Sequence, residues 1–185
     1  MATINLLPNG TLSNNWGIVG GGGATADGVL ADTDDATLIE TSAISRHCTL
    51  HLDDFDASGL GSTGITSIRH YISGYKFNTR GGDTDVNVEL QNAAATLYTE
   101  THSLTFNSYN AQAFFGTART TYNGSMEWNG TDAGSLLNGL RLEVNTDPED
   151  PSGVSKARVV QAYVEVTYTT GSVATENAIF FGCAF

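Results

Sequence analysis

The chain has 185 residues, with 20 Asp and Glu against 8 Lys and Arg, a net charge of −12, and 21 glycines against 3 prolines. Such a field repels phosphate backbones and anionic headgroups, which argues against nucleic acid and membrane surfaces as partners. Hydrophobic residues at 40% suffice for one domain with a real core, while charged residues stop at 15%, leaving the Gly, Thr, Ser and Asn expected of many short strands joined by turns.

Met1 to Pro8 has neither a basic leader nor a long apolar run, so the expected chain is made in a cytosol and carries no signal peptide or membrane span. Residues 1–34 read as an irregular N-terminal arm with a first loop or strand. Pro8-Asn9-Gly10 signals a turn, and Gly20 to Gly23 is a loop without side chains to pack. The acidic run Asp32 to Asp35 leads into a short strand at Ala36 to Glu40.

Residues 35–170 carry the strand rhythm. Arg46 to Leu52 sets Cys48, Leu50 and Leu52 against His47, Thr49 and His51. Ile65 to Phe77 puts Ile68 and Ile72 on one side and Tyr71, Tyr75 and Phe77 on the other. Val86, Val88 and Leu90 oppose Asp85, Asn87 and Glu89. Leu97 to Phe106 reads as two short strands, and Phe114 to Thr121 as a weaker one. Leu140, Leu142 and Val144 oppose Arg141 and Glu143. Val160, Ala162, Val164, Val166 and Tyr168 share a face in the clearest strand. The only helical turn expected lies near Ala133 to Asn138. About eight short strands predict an all-β fold: a two-sheet antiparallel β-sandwich, jelly-roll-like, between the arm and an apolar C-terminal tail.

That tail, residues 171–185, ends Asn177-Ala178-Ile179-Phe180-Phe181-Gly182-Cys183-Ala184-Phe185. Each phenylalanine gains about 1.5–3 kcal/mol on burial, so the segment either folds back or docks on another chain. Ile179, Phe180, Phe181 and Phe185, with Leu6 and Leu7 of the arm, are the candidate partner-binding residues. Cys48 and Cys183 make no disulfide framework and are expected as buried thiols.

Asp54-Phe55-Asp56-Ala57-Ser58-Gly59 has part of a calcium-loop pattern, making Asp54, Asp56 and Ser58 weak metal candidates; the twelfth position is Ile65 where Glu is needed. His47 and His51 lie about 13 Å apart by strand rise, too far to share a metal; a meeting of either with His70 across the sheet stays open, but His47, His51 and His70 read better as ordinary surface or sheet histidines. His102 reads as an ordinary sheet histidine. The balance predicts no metal and no cofactor. No Gly-x-Ser-x-Gly elbow occurs, and Gly20 to Gly23 lacks the lysine of a phosphate loop, so no catalytic residue is assigned and no enzyme is expected. Asn9, Asn123 and Asn129 open acceptor triplets for N-glycosylation that read better as Asn-Gly turns. Trp128 and Tyr122 are candidates for stacking on a sugar, against the alternative that Trp16 and Trp128 plug the ends of the core.

Leu7-Pro8-Asn9-Gly10 with Trp16, then Asp34-Asp35-Ala36-Thr37-Leu38-Ile39, resembles the opening of β-sandwich modules of bacteriophage virion proteins. Leu137-Asn138-Gly139-Leu140-Arg141-Leu142-Glu143-Val144 and Ala157 to Tyr168 resemble their close. The resemblance spans most of the chain ahead of the tail and rests on fold-bearing positions. It implies a capsid decoration or cement protein on the outer surface of the virion, or else a tail- or fibre-associated carbohydrate-binding, host-recognition module. The partners it implies are the major capsid protein or other virion proteins. A homo-oligomer is expected, a trimer foremost, because capsid lattices offer three-fold positions.

Overall fold

The computed structural model describes residues 1–20, 24–32, 34, 36–41, 46–55, 60–77, 84–92, 96–105, 111–122, 126–127, 139–146 and 156–170. Among them, strands dominate and form two antiparallel sheets. The first runs β3 (Gly17–Val19), β4 (Leu38–Thr41), β13 (Lys156–Thr170), β6 (Leu60–Phe77), β9 (Gln112–Phe115), with β1 (Ala2–Leu6) on the far half of β13. The second runs β2 (Pro8–Asn14), β5 (His47–Leu52), β12 (Arg141–Thr146), β7 (Thr84–Gln91), β8 (Thr96–Leu104). A small pair, β10 (Thr121–Tyr122) and β11 (Met126–Glu127), flanks residues 123–125. The expected sandwich is therefore present. Its order β4-β13-β6-β9 opposite β5-β12-β7-β8 is that of a jelly roll, two Greek keys whose chain crosses repeatedly between sheets.

The inner faces follow from the period of two. Val144 is paired with Cys48 on one side and Val88 on the other, and Leu142 likewise with Leu50 and Leu90, so apolar rows run straight across three strands. Opposite them stand Ile68, Ile72, Val159, Ala162, Val164 and Val166, all fully buried. A β-bulge alters one expected face. Val159 pairs with Gly74 and Gln161 with Ser73, which leaves Val160 between them unpaired. Ala157 and Val159 therefore share the core with Ala162, whereas Val160 joins Leu38 and Tyr75 in a separate apolar cluster. Gly74 permits the bulge: a Cβ there would stand 2.6 Å from the Arg158 carbonyl oxygen.

Among the described residues of 1–34, regular elements stand where an irregular arm is expected. β1 extends the first sheet and β2 the second, and the chain passes between them at Leu7, whose carbonyl accepts the Asp53 N–H at 2.8 Å. Pro8-Asn9-Gly10 is not a free turn but the start of an edge strand. Proline is tolerated there, and the register shift between Pro8 and Gly10 absorbs Asn9. A second shift, between Thr11 and Ser13, leaves Leu12 44% exposed. A helix of one and a half turns that periodicity could not reveal, α1 (Ala26–Ala31), packs Ala26, Val29 and Leu30 into the core. Its Asp27 is tied to β2, accepting from the Thr11 hydroxyl at 2.5 Å while its N–H donates to the same oxygen at 3.0 Å. Of the stretch Leu97 to Phe106, expected to hold two short strands, the residues through Leu104 lie in the single strand β8, which pairs with β7 across a register shift between Leu90 and Gln91; Phe106 lies outside the described residues. Trp16 is buried and Cys48 is a fully buried free thiol, as expected of both; Cys183 lies outside the described residues. No helix among the described residues is long and apolar enough to cross a membrane.

Candidate functional site

The outer faces of the two sheets differ in chemistry. On the second sheet the outward residues form a polar lattice: Ser103 donates to Asp85 at 2.6 Å, Thr101 to Asn87 at 2.6 Å, and Thr49 to Glu143 at 3.0 Å. The first sheet carries aromatics instead. Tyr71 of β6 stacks on Tyr163 of β13 at 4.4 Å and meets Phe115 of β9 edge-on at 4.9 Å, a row across three neighbouring strands. Registers Tyr71↔Tyr163 and Tyr71↔Phe115 produce it directly. Arg69 lies 4.5 Å over the Phe115 ring and donates to Glu165 at 2.6 Å, framing the row with an ion pair. Phe115 is 49% exposed. Further along the same face, Arg158 sits 3.8 Å over Phe77 and, with Lys156, holds Glu40.

A second constellation lies between the sheets at the open edge bounded by β8 and β9. His70 is in phase with Ile68 and Ile72 on β6 and so points into the core, fully buried. Glu100 and His102 are in phase on β8 and point inward from the opposite sheet. The Nε2 atoms of His70 and His102 approach to 2.6 Å, and Glu100 Oε2 lies 4.0 Å from His70 Nε2. After β9 the chain continues along β6, with Gly116 N–H donating to the His70 carbonyl at 2.9 Å and Arg119 exchanging two backbone bonds with Ile68. From there Thr117 N–H donates to Glu100 Oε2 at 2.8 Å and Arg119 Nη2 to Oε1 at 2.8 Å. Tyr98 stacks on His70, and Arg119 lies 4.9 Å over the Tyr98 ring.

Burial, reinforced by His102, pushes the His70 imidazole down to about 4, and burial also lowers His102 although Glu100 opposes it. Burial would raise Glu100, but the bonds from Thr117 and Arg119 outweigh it and the carboxyl falls below its usual range. At neutral pH the cluster holds two neutral imidazoles and a carboxylate. Among the described residues these three offer ligand atoms within 4.8 Å of one another.

Several expected site residues fall elsewhere. Leu6 is not a docking residue: it is buried in its own core, because β1 pairs with β13 and turns it inward. Leu7 is half-buried at the crossing between sheets. Asp54 is exposed and its Oδ1 accepts the Gly139 N–H at 3.1 Å. Tyr122 stands on β10 opposite Met126. Asp56, Ser58, Trp128, Ile179, Phe180, Phe181 and Phe185 lie outside the described residues, as does the helical turn expected near Ala133 to Asn138. His47 and His51 occupy the outer face of β5 and cannot meet His70, which points inward from the other sheet. The partner of His70 is His102. The Glu-x-His spacing of β8 carries the signal for that, since residues two apart share a strand face; only the fold sets that face against β6.

Compared with known proteins, the chain matches no family model, and no curated protein matches it.

Proposed function

We propose that this chain is a bacteriophage structural protein, a jelly-roll module that decorates or cements the outer surface of the capsid. The observation that carries this reading is the aromatic row Phe115–Tyr71–Tyr163 on one outer face, set against a wholly different polar lattice on the other. A rigid sheet with one amphipathic face suits adhesion to a protein lattice: aromatics supply contact area at small entropic cost, and Arg69 with Glu165 supplies a polar rim. Its partners are the major capsid protein or other virion proteins, engaged as a homo-oligomer, a trimer foremost. Binding the assembled shell and not its free subunits stabilises the shell by mass action, and several contacts per oligomer multiply the effect. No chemistry on a substrate is assigned.

The same row supports a second reading, a carbohydrate-binding module of a tail or fibre. Against it, Tyr71 has one face on Tyr163, and Arg69 covers a face of Phe115, so ring faces that a sugar needs are already engaged.

The test is co-sedimentation of the purified protein with capsids that lack it, for wild type, Phe115→Ser with Tyr163→Ser, and a deletion of residues 171–185. Saturable binding that falls at least about tenfold in the double variant, equivalent to about 1.4 kcal/mol, supports the reading. Unaltered binding in that variant removes the aromatic row from the interface. Absence of capsid binding together with glycan binding lost in the same variant favours the second reading.

A further inference from the structure

We propose that His70, Glu100 and His102 form a binding site for one divalent transition-metal ion, zinc foremost, which fastens β6 of one sheet to β8 of the other at the open edge of the sandwich. The donor set is two imidazole nitrogens and one carboxylate oxygen, which suits zinc and its neighbours and offers too few oxygens for calcium or magnesium. Ligands about 2.0–2.1 Å from a tetrahedral zinc stand about 3.3 Å from each other. The His70–His102 nitrogens at 2.6 Å and the His70–Glu100 pair at 4.0 Å lie on either side of that separation. Withdrawal of His102 by under about 1 Å and approach of the Glu100 carboxylate by about as much bring both pairs to that separation, shifts two residues of an edge strand can make while fully buried His70 stays fixed.

Supporting contacts hold the carboxylate from behind. Thr117 N–H and Arg119 bind its two oxygens and fix its orientation, as outer partners of metal ligands do. Gly116 is what lets the chain pass this close, because a Cβ there would stand 2.5 Å from the His70 ring and 2.9 Å from Glu100 Oε2. Arg119 is the opposing charge. It engages Oε1, away from the imidazole pair, and is 37% exposed, so solvent and salt screen it. Three protein ligands leave a fourth position for water. The ion binds the folded chain and not the unfolded one, which makes it a clamp across the two sheets.

The test uses the untagged full chain, stripped with EDTA and then given Zn²⁺ or Co²⁺, with metal content after gel filtration, thermal melting and the Co²⁺ visible spectrum as readouts. One ion per chain, a higher melting temperature with Zn²⁺ and an intense tetrahedral Co²⁺ spectrum are expected. His102→Ala, at a half-buried edge position, keeps its β circular dichroism and loses at least about tenfold in Zn²⁺ affinity, as does Glu100→Gln. His47→Ala with His51→Ala binds as wild type. No retained metal at micromolar Zn²⁺, undiminished binding in folded His102→Ala, or loss of binding in the His47/His51 variant each overturns the proposal.

Discussion

Gly116→Ala is the most demanding test of how the two sheets meet. Gly116 does not have a left-handed φ, so its backbone accepts alanine and the cost is purely steric. The new Cβ would stand 2.5 Å from one atom of the His70 ring and 2.6 Å from another. Ordinary carbon contacts are about 3.5–4.0 Å, so about 1 Å of movement is required. The ring cannot supply it, being fully buried with Tyr98 stacked at 5.8 Å and His102 edge-on at 4.9 Å. The segment after β9 must therefore lift from β6, losing the Gly116 N–H bond to the His70 carbonyl. Overpacking of about 1–3 kcal/mol and a hydrogen bond of about 1 kcal/mol give an expected loss of about 2–4 kcal/mol. Gly17→Ala is the control, since its Cβ meets only the Glu40 carbonyl oxygen, at 3.5 Å. Equilibrium urea denaturation of metal-free protein measures both. A Gly116→Ala chain within about 0.5 kcal/mol of wild type would refute the packing described for this edge.

Glu40→Gln should cost about 1–2 kcal/mol at pH 7, discounted because Lys156 is 40% exposed while Arg158 is 15% exposed. Burial alone would raise the Glu40 carboxyl, but Lys156 and Arg158 hold it below its ordinary value of 4.5. Its contribution is accordingly full above that value and disappears as pH falls through the lower folded-state value, so the wild-type and Glu40→Gln melting curves should converge in acid; a constant gap across that range contradicts the assignment. Gly28→Ala should stabilise by about 0.5–1 kcal/mol, because its Cβ meets only Thr25 Oγ1, at 3.5 Å, on an exposed helical position; a lower melting temperature counts against α1. In a Cys183→Ser background, the Cys48 thiol, which burial pushes up to about 12, should resist a thiol reagent in the native state and react fully in denaturant. Rapid native modification would show that the apolar row through Cys48 is open.

The strand rhythm was legible from local chemistry. Val86-x-Val88-x-Leu90 and Leu142-x-Val144 name their own inner faces, since successive side chains in a strand point to opposite sides whatever the partner. Composition likewise fixed the class: few charges, many glycines and β-branched residues fit short strands and turns. Three features were not legible. The strands of residues 2–19 are short and interrupted by register shifts, so their alternation is broken by Asn9 and Leu12. α1 is too short to show a helical period. The bulge at Val160 reverses the phase of β13 midway, and its position is set jointly with Gly74 on another strand.

Sequence alone thus determined which residues of most strands turn inward, because that depends on backbone geometry over two residues. Tertiary structure alone decided what those residues meet. The pairing of His70 with His102 and Glu100, and of Tyr71 with Tyr163 and Phe115, joins strands far apart along the chain. Such neighbours are chosen by the jelly-roll order that buries the greatest apolar area, a property of the whole sandwich and of no single segment.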